Sequence, residues 1–410
     1  MSGSDNDRHL EAALRILARA PLIDGHNDLP WQYRVRAGNH LERIDLASDT
    51  SRLEPPMHTD LARLRAGRLG AQFWALFLPS RFEGPGAARA LFEQIDVTVR
   101  MIERYPEVFE QAGTADDIER IFAAGRIASV LAIEGGHAIE GSLAVLRQAY
   151  ACGARYMTLT HNETIAWADS ATDEPRHGGL TAFGREVVRE MNRLGMMVDL
   201  SHVAPATMGD AMDTSAAPVI FSHSSARALC DHPRNVPDEL LVRVGEGGGI
   251  VMATFVPPFV SPAARFHRAL GEAEERRLQA EGADAETVER KMVEWLDANP
   301  APRATLEQVA DHIDHLSATA GVDHVGIGSD FDGITMVPIG LEDVSKYPAL
   351  IAELLRRGYR DEEVEKIAGA NLLRVMREVE AVSLELRSAR PPSEAQIEEL
   401  DNGGGAVRNT

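Results

Sequence analysis

The sequence predicts a (β/α)8 TIM barrel of the metallo-dependent hydrolase type, held in one domain. Three observations point there. Eight short apolar runs alternate with amphipathic helical stretches along the 410 residues, which is the rhythm of a parallel α/β fold. Residues able to hold a metal stand just past one run after another, where barrels build their sites. No G-x-G-x-x-G or P-loop pattern follows any run, so an open nucleotide-binding sheet loses its best support.

The predicted strands are 21–25, 71–78, 128–133, 156–160, 196–200, 218–222, 249–254 and 324–328. Helices are predicted between them, among them 143–151, 183–194 and 306–319. In the last, Leu306, Val309, Ile313 and Leu316 recur at helical spacing and mark the buried face. His312 and His315 fall off that face and are expected to be solvated. The barrel is assigned to residues 1–387. Its one interruption is a charged Ala/Glu/Arg-rich insertion at 261–303, read as a helix pair (273–280 and 285–296). That pair is either a lid over the strand ends or a solvated excursion. From Ser388 to Thr410 the chain is rich in Pro, Gly and acidic residues, and loose attachment is expected.

Composition narrows the function. The net charge of −21, from 42 basic and 63 acidic residues, argues against nucleic acid or an anionic membrane as partner. The two cysteines, Cys152 and Cys230, imply neither a disulfide framework nor a thiolate metal site and fit a reducing compartment. Residues 1–8 are polar, without the apolar core of a secretory signal. No apolar run reaches the roughly 18 residues of a spanning helix. A soluble cytoplasmic protein is the expectation.

The chemistry concentrates at the strand ends. The first strand runs into Asp24-Gly25-His26-Asn27-Asp28, and residues two apart in extended backbone point the same way. An imidazole and a carboxylate together suit Zn²⁺, although a chance pair or a capping aspartate is the blander reading. Glu134 ends the third strand before two glycines, as a metal ligand or as an acid at a helix N-terminus. His161, His202 and His223 follow the fourth, fifth and sixth strands, and Asp330 follows the eighth. Any one of these histidines could be a satisfied core residue, but the set at consecutive strand ends favours a metal site. His26, Asp28, Glu134, His202 and His223 make five ligands, more than the three a lone catalytic zinc usually takes, so two ions are expected. None of the three lysines (Lys291, Lys346 and Lys366) stands at a suitable strand end, so a carboxylated lysine cannot be the bridge.

Seven segments in order resemble the membrane (renal) dipeptidase family, over roughly residues 21–374. They are Asp24-Gly25-His26-Asn27-Asp28, Glu134-Gly135-Gly136-His137, and Leu159-Thr160-His161-Asn162 with Trp167-Ala168-Asp169. Next come Val198-Asp199-Leu200-Ser201-His202 and Phe221-Ser222-His223-Ser224-Ser225-Ala226-Arg227. The last are His232-Pro233-Arg234-Asn235-Val236-Pro237 and Gly326-Ile327-Gly328-Ser329-Asp330-Phe331-Asp332-Gly333. The resemblance implies a binuclear zinc centre that hydrolyses dipeptides by metal-activated hydroxide, including those with a D-residue at the C-terminal position. His26 and Asp28 would hold one ion, His202 and His223 the other, and Glu134 both. His161 would steady the tetrahedral intermediate, Arg234 would bind the substrate carboxylate, and Asp330 would carry the proton. Arg234 could also serve an ordinary salt bridge, and Asp330 could be a further ligand. The family often dimerises, so a homodimer is expected. The rival readings are another barrel metallohydrolase, such as a lactonase or phosphoesterase, and a non-catalytic binding protein on the same scaffold.

Overall fold

The computed structural model describes residues 3–82 and 84–401. Eight parallel strands close into a barrel: β1 (Leu22–Asn27), β2 (Leu69–Phe77), β3 (Ile127–Glu134), β4 (Ala154–Thr158), β5 (Met197–Asp199), β6 (Ile220–Phe221), β7 (Ile250–Ala253) and β8 (Val325–Ile327). Closure runs through β1, which pairs with both β2 and β8. One strand was not foreseen: Phe109–Gln111 pairs with the beginning of β3, on the edge that β4 takes over from Leu131 onward.

Side-chain alternation sorts the core into two clusters. Phe73, Val130, Ala132, Tyr156, Met197, Ile250 and Met252 fill the barrel interior. Leu372, Leu373, Met376 and Val379 of the helix Asn371–Ala389 join them. The other parity, with Trp74, Leu131, Ile133, Val198 and Val251, packs outward against the helices. Because side chains alternate with period two, Glu134 continues the inward set of Val130 and Ala132. The strand sequence itself therefore aims this carboxylate at the barrel axis.

The connecting helices start where side chains can satisfy their free N–H groups. Ser142 caps Leu143–Ala151, Thr181 caps Ala182–Leu194, and Thr305 with Gln308 forms a capping box on Leu306–Thr319. The insertion is more helical than predicted. Pro262–Ala280, capped by Ser261, spans 19 residues, and Ala285–Ala298 follows after an Asp284 cap. This pair packs beside the strand ends, where it lines cavities that also touch Arg234 and Gly333.

Two expectations need correction. His312 is 1% exposed: Nε2 donates to the Val260 carbonyl and Nδ1 accepts from the Ala226 N–H, so it is a fully satisfied core histidine. The tail, over its described part to Asp401, is docked. Arg147 donates to the Ser393 carbonyl, and the Asp401 carboxylate accepts from Thr181 Oγ1 and the Phe183 N–H. A carboxylate at the start of the helix Ala182–Leu194 is favoured by the helix dipole as well as by those bonds.

Candidate metal centre

All the strand-end residues singled out from the sequence converge at the carboxyl end of the barrel. Glu134 lies at the middle of the ligand set. Its Oε2 is 3.5 Å from His26 Nε2, while its Oε1 is 3.1 Å from His202 Nε2, 3.6 Å from His223 Nε2 and 3.7 Å from His161 Nε2. The two oxygens of one carboxylate thus face different histidines. Asp28 Oδ2 is 3.4 Å from His26 Nε2, and Asp28, His26 and Asp330 each place a ligand atom within 4.8 Å of the others. Two further groups meet the same spacing, His26–Glu134–His223 and Glu134–His161–His202.

Two of the imidazoles have Nδ1 tied to a neighbouring hydroxyl, which turns Nε2 toward Glu134. Tyr156 donates its hydroxyl proton to the Gly25 carbonyl and lies 2.8 Å from His26 Nδ1. In the neutral ring that a metal ligand requires, this network would put the proton on Nδ1 and leave the Nε2 lone pair facing Asp28 and Glu134. Ser222 does the same for His223: its hydroxyl donates to Asp199 and lies 2.8 Å from His223 Nδ1. His202 Nε2 and His223 Nε2 are 3.0 Å apart, close to the roughly 3.3 Å of two nitrogens sharing one tetrahedral zinc. His26 Nε2 and Asp28 Oδ1 are buried without a hydrogen-bond partner. The donor set, two oxygen-rich and imidazole-rich clusters joined by a carboxylate, fits divalent zinc.

The electrostatics are those of a site short of positive charge at one end. Burial and then the Glu134 charge raise Asp28, and burial and then the Asp28 charge push Asp330 well above the usual carboxylate range. Burial disfavours charge on His26, but Tyr156, Glu134 and Asp28 outweigh it and hold that imidazole well above its ordinary range. At the other end burial dominates, with Arg234 adding to it, and His202 and His223 are held well below theirs. His161, buried and near Arg234, is lowered to about 3.

A layer of residues to which the sequence assigned no role sets these positions. Asp24 accepts from the Ser329 N–H and hydroxyl, the Tyr347 hydroxyl and Gln72, tying β1 to the loop after β8. Asp199 accepts from Thr158 Oγ1 at 2.5 Å, Ser222 Oγ at 2.6 Å, and the N–H groups of Ser201 and Ser222. It thereby joins the ends of β4, β5 and β6 beneath His202 and His223. Asp199→Ala should strand these buried donors and cost about 3 kcal/mol or more in urea unfolding. A loss under about 1 kcal/mol would show that other partners replace it.

The backbone is unusual at the same places. His202, Asp330 and Asp332 have φ of 71°, 69° and 62°. Gly333 is required by close approach: a Cβ there would lie 2.2 Å from Asp28 Oδ2 and 2.4 Å from Asp330 Oδ1.

Arg234 is 2% exposed and, among the described residues, has no carboxylate partner. Its guanidinium donates to Ser224 Oγ and the His223 carbonyl, sits 5.3 Å over the Phe259 ring, and leaves Nε unpartnered. Burial lowers it to about 10. Asn235, bonded to Ser225, Cys230 and Phe259, and Arg227, bonded to the Pro233 and Asn235 carbonyls, hold its loop in place.

A parallel barrel whose strand ends gather histidines and carboxylates at ligand spacing, with a buried arginine beside them, is a metal-dependent hydrolase. The chain belongs to the membrane dipeptidase family, Peptidase family M19, whose model matches residues 10–390. It is 41% identical over 395 residues to the dipeptidase verJ of Clonostachys rogersoniana, covering 93% of this chain and 90% of that protein. Among solved structures it is similar to a metallo peptidase from Rhodobacter sphaeroides liganded with a phosphinate mimic of the dipeptide L-Ala-D-Ala. That match has a TM-score of 0.69 at 26% identity and covers 88% of this chain and 99% of the other. The fold is shared with the probable dipeptidase PvdM of Pseudomonas aeruginosa, with a TM-score of 0.78 at 24% identity, covering 92% and 99% of the two chains. This chain is accordingly a peptidase, and the lactonase, phosphoesterase and non-catalytic readings give way. Despite the family's name, among the described residues no helix is long and apolar enough to cross a membrane.

Proposed function

We propose that this chain is a binuclear zinc dipeptidase that cleaves free dipeptides, including those with a D-residue in the C-terminal position. The observation that carries the binuclear reading is the split of Glu134, with one oxygen toward His26 and the other toward His202 and His223. His26 and Asp28 would hold one ion, His202 and His223 the second, with Glu134 common to both. When bound, two such ions supply an acidified water near neutral pH and polarise the scissile carbonyl.

The protein's own groups do the rest. Arg234 receives the substrate carboxylate, since a buried guanidinium with no anionic partner retains its pairing capacity for one. His161, a neutral imidazole with Nε2 at the edge of the ligand set, donates to the oxygen that gains charge. Asp330 takes a proton from the attacking water and returns it to the departing amine. A carboxylate fixed at Arg234 leaves room for one residue on the leaving side, which supports dipeptides over longer chains. The Rhodobacter structure, with its mimic of L-Ala-D-Ala, supports acceptance of the D-configuration.

The test compares a dipeptide with its C-terminal amide. Wild type should prefer the free acid, and Arg234→Ala should lose about 2–5 kcal/mol in kcat/KM on the acid while the gap to the amide narrows. Equal wild-type rates on acid and amide would remove Arg234 as the carboxylate anchor. Hydrolysis of L-Ala-L-Ala without L-Ala-D-Ala would remove the stereochemical part alone.

A further inference from the structure

We propose that the cavity between the insertion helices and the loop after β8 receives the side chain of the substrate's N-terminal residue, and that it selects large apolar side chains. This rests on the dipeptidase reading and adds a substrate class to it. The cavity holds about 410 Å³, within the roughly 300–1,000 Å³ of ordinary ligand pockets. Its walls include Val256 and Pro258 after β7, Met292 and Trp295 of the second insertion helix, and Ile334 and Met336 after β8.

Position ties it to the reacting centre. Gly333 lines the cavity, and the same glycine abuts Asp28 Oδ2 and Asp330 Oδ1 so closely that it has no space for a Cβ. The cavity therefore comes within one residue of the two carboxylates. Charge fixes which end of the substrate lies there. Arg234 faces a second cavity, of about 780 Å³, with Asn162, His232 and Phe259. Arg234 is bonded to the His223 carbonyl, whereas Asp28 stands beside His26, so a dipeptide whose carboxylate sits on Arg234 extends its ammonium end across the ligand set toward Asp28. Its N-terminal residue then lies beside Gly333, with the apolar cavity next to its side chain.

The insertion helix Pro262–Ala280 divides the two spaces, since its Arg268 and Glu272, paired at 3.0 Å, line both. Met336 remains 41% exposed and Leu296 49% exposed at the apolar cavity, so a bound side chain would remove apolar surface from water.

The experiment measures kcat/KM for Leu-Ala and Gly-Ala with wild type, Met336→Trp, Met336→Ser and Leu270→Ser. Met336 and Leu270 are both half exposed, and Leu270 does not line the cavity. Wild type should prefer Leu-Ala by on the order of 10-fold or more. Met336→Trp, which fills the space, should erase most of that preference, and Met336→Ser should reduce it a few-fold, while Leu270→Ser leaves it unchanged. Hydrolysis without preference, or Met336 variants that slow both substrates equally, would overturn the pocket and leave the dipeptidase reading standing. Failure of wild type to cleave either dipeptide would overturn both.

Discussion

Asp330→Asn is expected to cut turnover by roughly 100- to 10,000-fold, the range for loss of a general acid–base group. The substitution keeps size and shape but removes the site that would take up a proton. Geometry makes the effect specific. The Asp330 N–H donates to the His26 carbonyl and the Asp28 N–H to the Phe331 carbonyl, so the ends of β1 and β8 are stitched and the side chain is held beside Asp28. An amide can occupy that position with the same backbone. Metal content should stay close to wild type, and KM should change less than kcat. A parallel fall of metal content and activity would instead make Asp330 chiefly a ligand.

Glu134→Gln should have the broadest effect on metal binding. A carboxylate shared by two ions, as proposed for Glu134, would contribute charge to each, whereas an amide gives one neutral oxygen. Elemental analysis of metal-loaded wild type should give close to two zinc equivalents per chain, and the variant should lose occupancy at both positions. Dipeptide turnover should fall in step with it. Loss of one ion with full retention of the other would place Glu134 in a single site, and a wild-type value of one would end the binuclear model.

The candidate site was largely legible because its residues sit in short motifs at the ends of apolar runs. His26, Glu134, His161, His202, His223 and Asp330 each follow or end a strand, and local sequence is enough to see that. The fold was legible for a related reason: the helices Leu143–Ala151 and Leu306–Thr319 begin and end where their caps and periodicity place them. What stayed hidden depends on partners distant in sequence. Tyr156 reaches His26 across 130 residues, and Tyr347 reaches Asp24 across 323. His312 looked solvated because helical spacing records one face of one helix, and its partners, Val260 and Ala226, come from other elements. Tail docking through Asp401 likewise depends on Thr181 and Phe183, which composition cannot reveal.

Of the six non-glycine residues with positive φ among the described residues, three are His202, Asp330 and Asp332. Left-handed backbone disfavours a Cβ by roughly 1–2 kcal/mol, less for aspartate, and glycine would relieve it. Judged on backbone conformation alone, glycine would suit the position of His202 better. A survey that ranked substitutions by backbone strain would therefore score His202→Gly favourably while deleting a proposed ligand. Stabilising this enzyme by design has to exempt the strand ends, because there the backbone is kept at a disadvantage to aim a side chain.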